Sequence, residues 1–319
     1  MKTSVDFYKE DKNKGDIWLN KEYLVQLNLT GDCPLKCEFC YMTPYKKKYL
    51  SLDKIKILWD NLRRYSKEKD IEYRVNLTGG DIFEHPQWEE IARFIANENT
   101  ITAVDPLINR FWKKDHLKLL EILKEKINFV QLNSDIVLEE DILAVKNINK
   151  KVVLKIALYK GNIKRMVEKL KRLSEKFEEV IVSIDLIIPQ RQNTLNKKDY
   201  LIFNIPELKR EVEKLRSIFG KKLWLLSTTI KRMYLNEIYY CPIPFGGMYV
   251  MPDNEIVPCS RYSHLRTGFN IDNFDLIGYV QKYNKLCSNF CLFENKFFNE
   301  FWEKQENPIN FTGGKNESS

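Results

Sequence analysis

Short apolar runs alternate along this chain with longer stretches in which apolar residues recur every three or four positions. The first run covers residues 23–29 and stops at Gly31-Asp32. Ser51 then stands where a helix N-cap belongs, ahead of Ile55, Leu58, Trp59 and Leu62. That spacing predicts a helix to about Ser66 with one apolar face. The pattern repeats, with strands predicted at 73–77, 101–108 (interrupted by Pro106), 129–133, 152–158, 180–188 and 223–227. Between them, helices are predicted at 88–97, 115–126, 140–148, 163–177 and 206–219.

Strand–helix alternation implies a parallel sheet with right-handed crossovers. Six such units predict an α/β fold, a partial (βα)6 TIM-like barrel, with a doubly wound sheet as the other arrangement of the same pattern. In either, reactive groups belong on loops leaving the carboxyl ends of strands. After about residue 234 the alternation stops. Two short strands, 247–251 and 255–258, flank a turn at Pro252-Asp253-Asn254. The expected division is an N-terminal extension (1–22), the barrel (23–230), a small C-terminal module (231–301) and a polar, disordered tail (302–319).

Composition narrows the class. Of 319 residues, 44% are hydrophobic and 30% charged, enough apolar material for a core and too much for a disordered chain. No run of about 18 apolar residues exists, so no membrane helix is expected. The charged N-terminus does not read as a signal peptide. The net charge of +8 falls largely on helices that also carry Glu, such as 206–217, which suits solvated helix faces. No nucleic-acid-binding motif is present, and none of that activity is expected.

Seven cysteines change the picture more. An odd number without a signal peptide is a poor disulfide framework. Cys33, Cys37 and Cys40 cluster near the N-terminus; Cys241, Cys259, Cys287 and Cys291 lie in the last quarter; none falls between. Two separate metal sites follow from that distribution. The first has the spacing Cys-x3-Cys-x2-Cys, directly after the first predicted strand. Structural zinc sites usually take four ligands in paired Cys-x2-Cys knuckles. Three thiolates suit a [4Fe–4S] cluster with one iron left open; a zinc knuckle and three incidental cysteines are the competing readings. The four later cysteines suffice for a closed [4Fe–4S] cluster or a zinc site, and spacing alone does not separate these.

With Phe39 before the third cysteine, the motif Cys33-x3-Cys37-x-Phe39-Cys40, after the first strand of a βα barrel, resembles that of the radical S-adenosylmethionine superfamily. The resemblance runs over residues 23–227. It implies that S-adenosylmethionine chelates the open iron and is cleaved by one electron to a hydrogen-abstracting 5′-deoxyadenosyl radical. Gly79-Gly80-Asp81 takes the place of the family's Gly-Gly-Glu, which binds the methionine amine. Glycine permits close backbone approach, while Asp81 keeps the charge with one methylene less reach. Asn133, in Asn133-Ser134-Asp135, matches a ribose-contacting position, and Phe39 and Tyr41 are implied near the adenine. The same residues also read as ordinary strand-end turn chemistry and as apolar shielding of a cluster. His85 is expected in an ordinary loop role.

The stretch from Cys241 through Gly246-Gly247, Pro258-Cys259 and Gly268-Phe269 resembles the SPASM and twitch modules of the same superfamily, which hold auxiliary clusters. Four cysteines match the shorter, one-cluster twitch form. The implied cofactors are therefore two [4Fe–4S] clusters and S-adenosylmethionine. All seven cysteines then serve as ligands, which leaves no thiol to return a hydrogen and favours net oxidation over epimerisation. An auxiliary cluster gives the second electron an acceptor. The expected substrate is a ribosomally made peptide, oxidised or crosslinked. Dehydrogenation of a small molecule such as an aminosugar or amino acid is the alternative, and a non-catalytic iron–sulfur scaffold a third reading. About 22 residues precede the first strand, few for a separate leader-binding domain. A reducing partner such as flavodoxin or ferredoxin and a cytoplasmic location are implied; no catalytic acid or base is assigned.

Overall fold

Successive residues of the first strand, β1 (Glu22–Asn28), point to opposite sides of a sheet. Tyr23, Val25 and Leu27 are buried in the apolar core, while Gln26 and Asn28 carry amides on the other face. The same alternation recurs in β2 (Glu72–Thr78), where Tyr73, Val75 and Leu77 are core residues and Arg74 and Asn76 are not. The computed structural model describes residues 21–35, 37, 40–109, 114–158, 163–186, 205–225, 246–258 and 268–287.

Five more parallel strands follow: β3 (Ile101–Ile108), β4 (Phe129–Asn133), β5 (Lys151–Leu158), β6 (Ile181–Leu186) and β7 (Leu223–Leu225). Helices α1 (Leu52–Lys69), α2 (Trp88–Asn97), α3 (Lys114–Leu123), α4 (Glu139–Asn147), α5 (Ile163–Lys176) and α6 (Ile205–Phe219) alternate with them. The strand order is β7-β6-β5-β4-β3-β2-β1, continued by β8 (Gly247–Val250) and β9 (Ile256–Val257). Among the described residues the two edges, β7 and β9, do not pair. The expected α/β partial barrel is the observed fold. No described helix is long and apolar enough to cross a membrane.

The apolar side of the sheet packs under the helices. Ile55, Leu58, Trp59 and Leu62 of α1 are all fully buried, as their spacing predicts. Each such side chain stabilises the fold by roughly 1.5–3 kcal/mol. Trp59 meets Tyr73 edge-on at 6.4 Å, and the Tyr73 hydroxyl donates to the Leu62 carbonyl at 2.8 Å. The Ser51 hydroxyl caps α1 by accepting from the Lys54 N–H. The helix runs past Ser66 to Lys69, where Asp70 turns left-handed at φ 55° and donates its N–H to the Ser66 carbonyl.

Two elements differ from expectation for local reasons. Helix α3 ends at Leu123 rather than near Lys126, because Ile127 leaves to bridge Val104 and the Lys126 ammonium reaches the Ile95 and Glu98 carbonyls. Strand β3 continues through Pro106, which lacks an N–H. Its pairing toward β4 is interrupted there, stepping from Val104↔Ile127 to Leu107↔Gln131, and the Gln131 amide donates to the Asp105 carbonyl instead.

The predicted hairpin after residue 246 forms, with β8 and β9 antiparallel and Asn254 at φ 71° in the turn. Sequence sets this segment in a separate module. In the fold β8 lies parallel to β1, with Leu24 opposite Gly247, and extends the barrel's own sheet. Tyr279, Val280 and Tyr283 of α7 (Leu276–Cys287) join the same core as the barrel strands.

Candidate functional site

The cysteine loop leaves the carboxyl end of β1 and is fastened from several directions. The Leu29 N–H donates to the Thr78 carbonyl, and the Gly80 and Asp81 N–H groups donate to the Thr30 and Asp32 carbonyls at 2.6 and 2.7 Å. Thus the end of β2 continues alongside the residues that lead into Cys33. Gly79 adopts φ 137°, and a Cβ there would meet the Thr30 carbonyl oxygen at 2.8 Å. At Gly80 a Cβ would stand 2.2 Å from the Asp32 oxygen. Glycine is required at both positions, and the backbone approaching it belongs to the cysteine loop itself.

Across the loop, Asp32 accepts from the Lys47 N–H at 2.9 Å and from the Tyr49 hydroxyl at 2.5 Å. These bonds, the Tyr49 hydroxyl first, hold the Asp32 carboxyl below the usual carboxylate range. Asp81 is buried, and one of its oxygens caps a short 3-10 turn by accepting from the Phe83 N–H.

Cys33, Cys37 and Cys40 are unbonded to one another and half-buried. Burial pushes the Cys33 thiol up to about 12, with the negative charge of Asp81 adding to the effect and a hydrogen bond from the Leu35 backbone opposing it. Burial likewise raises Cys37 to about 11, with Cys40 and Asp135 contributing. Cys40 is raised by burial too, against hydrogen bonds from the Met42 and Thr43 backbone. Such thiols stay protonated at neutral pH unless a cation takes the proton's place. No three His, Cys, Asp or Glu side chains among the described residues gather as a single ion's ligand set. A four-iron cluster distributes its thiolates over different irons and asks for wider spacing. Three soft thiol donors on one loop, with N–H groups turned to two of the sulfurs, fit that group.

The sheet's inner face is polar where barrel interiors are usually packed with Val, Ile and Leu. Gln131 on β4 donates to the Asn76 carbonyl oxygen at 2.8 Å, Asn76 to Gln26 at 3.1 Å, and Gln26 to Asn28 at 3.2 Å. Asn28 then donates to the Val250 carbonyl at 3.0 Å. Tyr41 enters this row, its hydroxyl donating to Asn28 Oδ1 at 2.9 Å and accepting from Gln26. Below the row Arg74 is bonded to buried Asp105 and lies over the Phe129 ring. Burial pushes the Asp105 carboxyl up, with Arg74 opposing.

Asn133 stands at the end of β4, and its amide reaches Asn109 Oδ1 at 3.5 Å. Asn109, just beyond β3, donates in turn to the Gly80 carbonyl at 2.5 Å. The sequence reading missed Asn109 and the amide row; polar residues at alternate positions of otherwise apolar strands were the available signal. The structure therefore brings Gly79, Gly80, Asp81, Asn133 and the three cysteine-loop thiols to one end of the sheet, with Tyr41 beside them. His85 is buried in a structural role, Nε2 against the Leu50 carbonyl and Nδ1 accepting from the Gln87 N–H. Phe39, Cys241, Cys259 and Cys291 lie outside the described residues, as does the side chain of Cys287, the last residue of α7.

Solved structures share this fold. Against Streptococcus suis SuiB the TM-score is 0.61 at 17% identity, covering 84% of this chain and 68% of SuiB. Against SuiB bound to its precursor peptide SuiA it is 0.57 at 15% identity, covering 81% of this chain and 64% of that one. Methylornithine synthase (PylB) aligns with TM-score 0.50 at 16% identity, covering 86% of each chain. The chain thus spans about two thirds of the length of SuiB. No curated protein matches it by sequence. Residues 27–196, more than half of the chain, which take in the last two residues of β1 and all of β2 to β6, match the family described as the Radical SAM superfamily. That match, on a sheet whose first two strands end in a cysteine loop and a paired glycine turn, makes the chain a member of the radical SAM superfamily of enzymes, which work with a [4Fe–4S] cluster and S-adenosylmethionine.

Proposed function

We propose that Cys33, Cys37 and Cys40 ligate the family's [4Fe–4S] cluster and that the enzyme oxidatively modifies or crosslinks a ribosomally made peptide. The observation that carries the first part is the clamped loop: three half-buried thiols on a loop whose leading residues, Thr30 and Asp32, are bonded to the Gly79-Gly80-Asp81 turn at the carboxyl end of a parallel sheet. Bound there, the cluster and S-adenosylmethionine supply reductive cleavage of the sulfonium carbon–sulfur bond and a 5′-deoxyadenosyl radical that takes hydrogen from substrate. The chain's own part is to surrender three thiol protons, to steady the thiolates with the Leu35, Met42 and Thr43 N–H groups, and to hold the cofactor over the sheet. Asn133 is assigned to the ribose, the Gly79-Gly80-Asp81 turn to the methionine amine, and Phe39 and Tyr41 to the adenine side. The likeness to SuiB, solved with a precursor peptide, supports the peptide substrate.

Cys241, Cys259, Cys287 and Cys291 are assigned to a second [4Fe–4S] cluster in a twitch-like module (231–301), with flavodoxin or ferredoxin as the reducing partner. The division of seven cysteines into three and four supports this. Dehydrogenation of a small polar molecule is the second reading, favoured by the amide-lined inner face. Anaerobic reconstitution followed by dithionite reduction tests the core of the proposal. The wild type should form 5′-deoxyadenosine, and the protein with Cys33, Cys37 and Cys40 all replaced by Ala should form none. Cleavage by the triple variant would end the assignment. With substrate, the product should be lighter by two hydrogens; a product of unchanged mass that gains solvent deuterium would show epimerisation instead.

A further inference from the structure

Helix faces carry most of the lysines of this chain, but one lysine points into the barrel. On β5, Val152, Leu154 and Ile156 belong to the core under the helices. Alternation along the strand then turns Val153, Lys155 and Ala157 to the inside of the sheet. Lys155 stands in register between Asn133 of β4 and Ser183 of β6, on the same face as both. Its backbone is pinned, because its carbonyl accepts from both the N–H and the hydroxyl of Ser134.

Lys155 differs from a solvated lysine in its surroundings. It is half-buried, and Ser183 beside it is fully buried. The inward-facing cation of β2, Arg74, is bonded to Asp105 and Glu22. Among the described strand residues of this face, Asp105 is the buried acid, and Arg74 takes it. The Lys155 ammonium has no ion pair or hydrogen bond among the described residues. Lys151, also turned inward, is exposed at the start of β5. The barrel interior therefore offers a floor of neutral amides, one neutralised arginine, and one ammonium partly withdrawn from water. A cation so placed is stabilised by an anion that enters with its own donors and acceptors matched.

We propose that Lys155 binds a carboxylate of the substrate, which makes the substrate class one that carries this group near its reacting carbon. The inference rests on the proposed function. With Asn133 assigned to the ribose, the position in register with it on the next strand falls where substrate has to meet the cofactor. A carboxylate suits the site better than a phosphate. One ammonium neutralises one charge, and the Asn133 amide and Ser183 hydroxyl flank it with neutral donors. A dianion would keep an unpaired charge at the end of the sheet to which the three thiols are also brought. An acidic side chain of a peptide and a free amino acid both offer this chemistry.

The test is competitive lysine acetylation of the reconstituted protein under anaerobic conditions, read peptide by peptide in the mass spectrometer. Succinate is the carboxylate probe and succinamide its neutral control. Succinate at about ten times its Kd should slow acetylation of Lys155 about tenfold, with exposed Lys67 unaffected and succinamide without effect. Calorimetry should find succinate binding kept in Lys155→Arg and lost in Lys155→Met, at equal iron content. The tripeptide N-acetyl-Gly-Glu-Gly-amide, set against its Gln analogue, repeats the comparison on a peptide. Whichever carboxylate protects at the lower concentration identifies the source as peptide or free acid. Equal acetylation with and without both carboxylates overturns the proposal, as does a Lys155 already as inert without any probe as Lys126, which is bonded to two carbonyls. Stronger protection by inorganic phosphate overturns the choice of carboxylate. Protection by S-adenosylmethionine alone, to which succinate adds nothing, gives the cation to the cofactor's own carboxylate and ends its substrate role. A wild type that forms no 5′-deoxyadenosine with dithionite is a separate failure, which removes the cluster reading beneath the proposal.

Discussion

The Tyr49 hydroxyl donates to the Asp32 carboxylate at 2.5 Å and thereby ties together the two ends of the loop that carries all three N-terminal cysteines. A second bond, from the Lys47 N–H to the same carboxylate, doubles the clasp. Closing a loop of this length costs chain entropy, and the clasp meets that cost before any metal arrives. Tyr49→Phe should therefore reconstitute more slowly and lose iron faster to a chelator, with the melting temperature of the barrel little changed. Equal chelation kinetics in the two proteins would show that the clasp does nothing for the site. Because the Asp32 carboxyl is held below its ordinary range, the clasp is present above the ordinary carboxylate pKa of about 3.9 and is lost only as pH falls through the lowered value.

The raised thiols make a second expectation. An ordinary cysteine ionises near pH 8.5, whereas burial lifts Cys33 to about 12 and Cys37 to about 11. In metal-free protein at pH 8.5, iodoacetamide should label Cys33 and Cys37 well below the rate of free cysteine, read by mass spectrometry of the tryptic peptides. The sign for stability follows. A group neutral when protonated, with its folded pKa raised, supports the fold fully below its unfolded pKa and loses that support as pH rises toward the folded one. Metal-free protein should melt at lower temperature at pH 10 than at pH 8, and the slope should shrink in the triple Cys→Ser variant.

Gly80→Ala places a methyl group where the Asp32 carbonyl oxygen already stands, at 2.2 Å. The three nearest atoms, two of Asp32 and one of Gly31, all belong to backbone, so no side chain can swing aside. The loop must shift, breaking the bonds from Gly80 to Thr30 and from Asp81 to Asp32. Iron content after reconstitution should drop by half or more, even where circular dichroism shows the barrel intact. A variant with full iron content and normal 5′-deoxyadenosine formation would contradict this account of the turn.

The amide row offers a stability test away from the cysteines. Asn76→Leu leaves Gln26 Oε1 without its donor and Gln131 Nε2 with only the Asp105 carbonyl. Gln26 and Gln131 are both buried, so the substitution should destabilise by about 1–3 kcal/mol, measured by urea unfolding. A change below about 0.5 kcal/mol would mean that the row is readily replaced by water.

Much of this was legible in the chain. The strand Phe129–Asn133 and the helix Trp88–Asn97 fall where their periodicity puts them, because a strongly one-sided apolar pattern has one register that buries it. The hairpin turn at Pro252-Asp253-Asn254 was equally plain, but not its destination: only tertiary pairing places Gly247 opposite Leu24. At the site, the cysteine spacing was informative by itself. The clasp between Asp32 and Tyr49 and the bond from Asn109 to the Gly80 carbonyl were not, since single polar residues in loops carry no periodic signal. Nor does the sequence reveal that the Thr30 and Asp32 backbone closes on the glycine pair, since that approach is tertiary.

In the row Gln131, Asn76, Gln26, Asn28, each amide gives its N–H to the next one's oxygen, so the sequence of bonds has a direction. Turning a single member around would set N–H against N–H on one side and oxygen against oxygen on the other. The row can reverse only as a unit, and the Val250 carbonyl, which can accept but never donate, forbids even that. The four side-chain dipoles are consequently locked head to tail, with the last N–H on the Val250 carbonyl and the Asn28 oxygen held by the Tyr41 hydroxyl. Tyr41, one residue beyond Cys40, is thereby tied to a floor whose amides have no second arrangement to adopt.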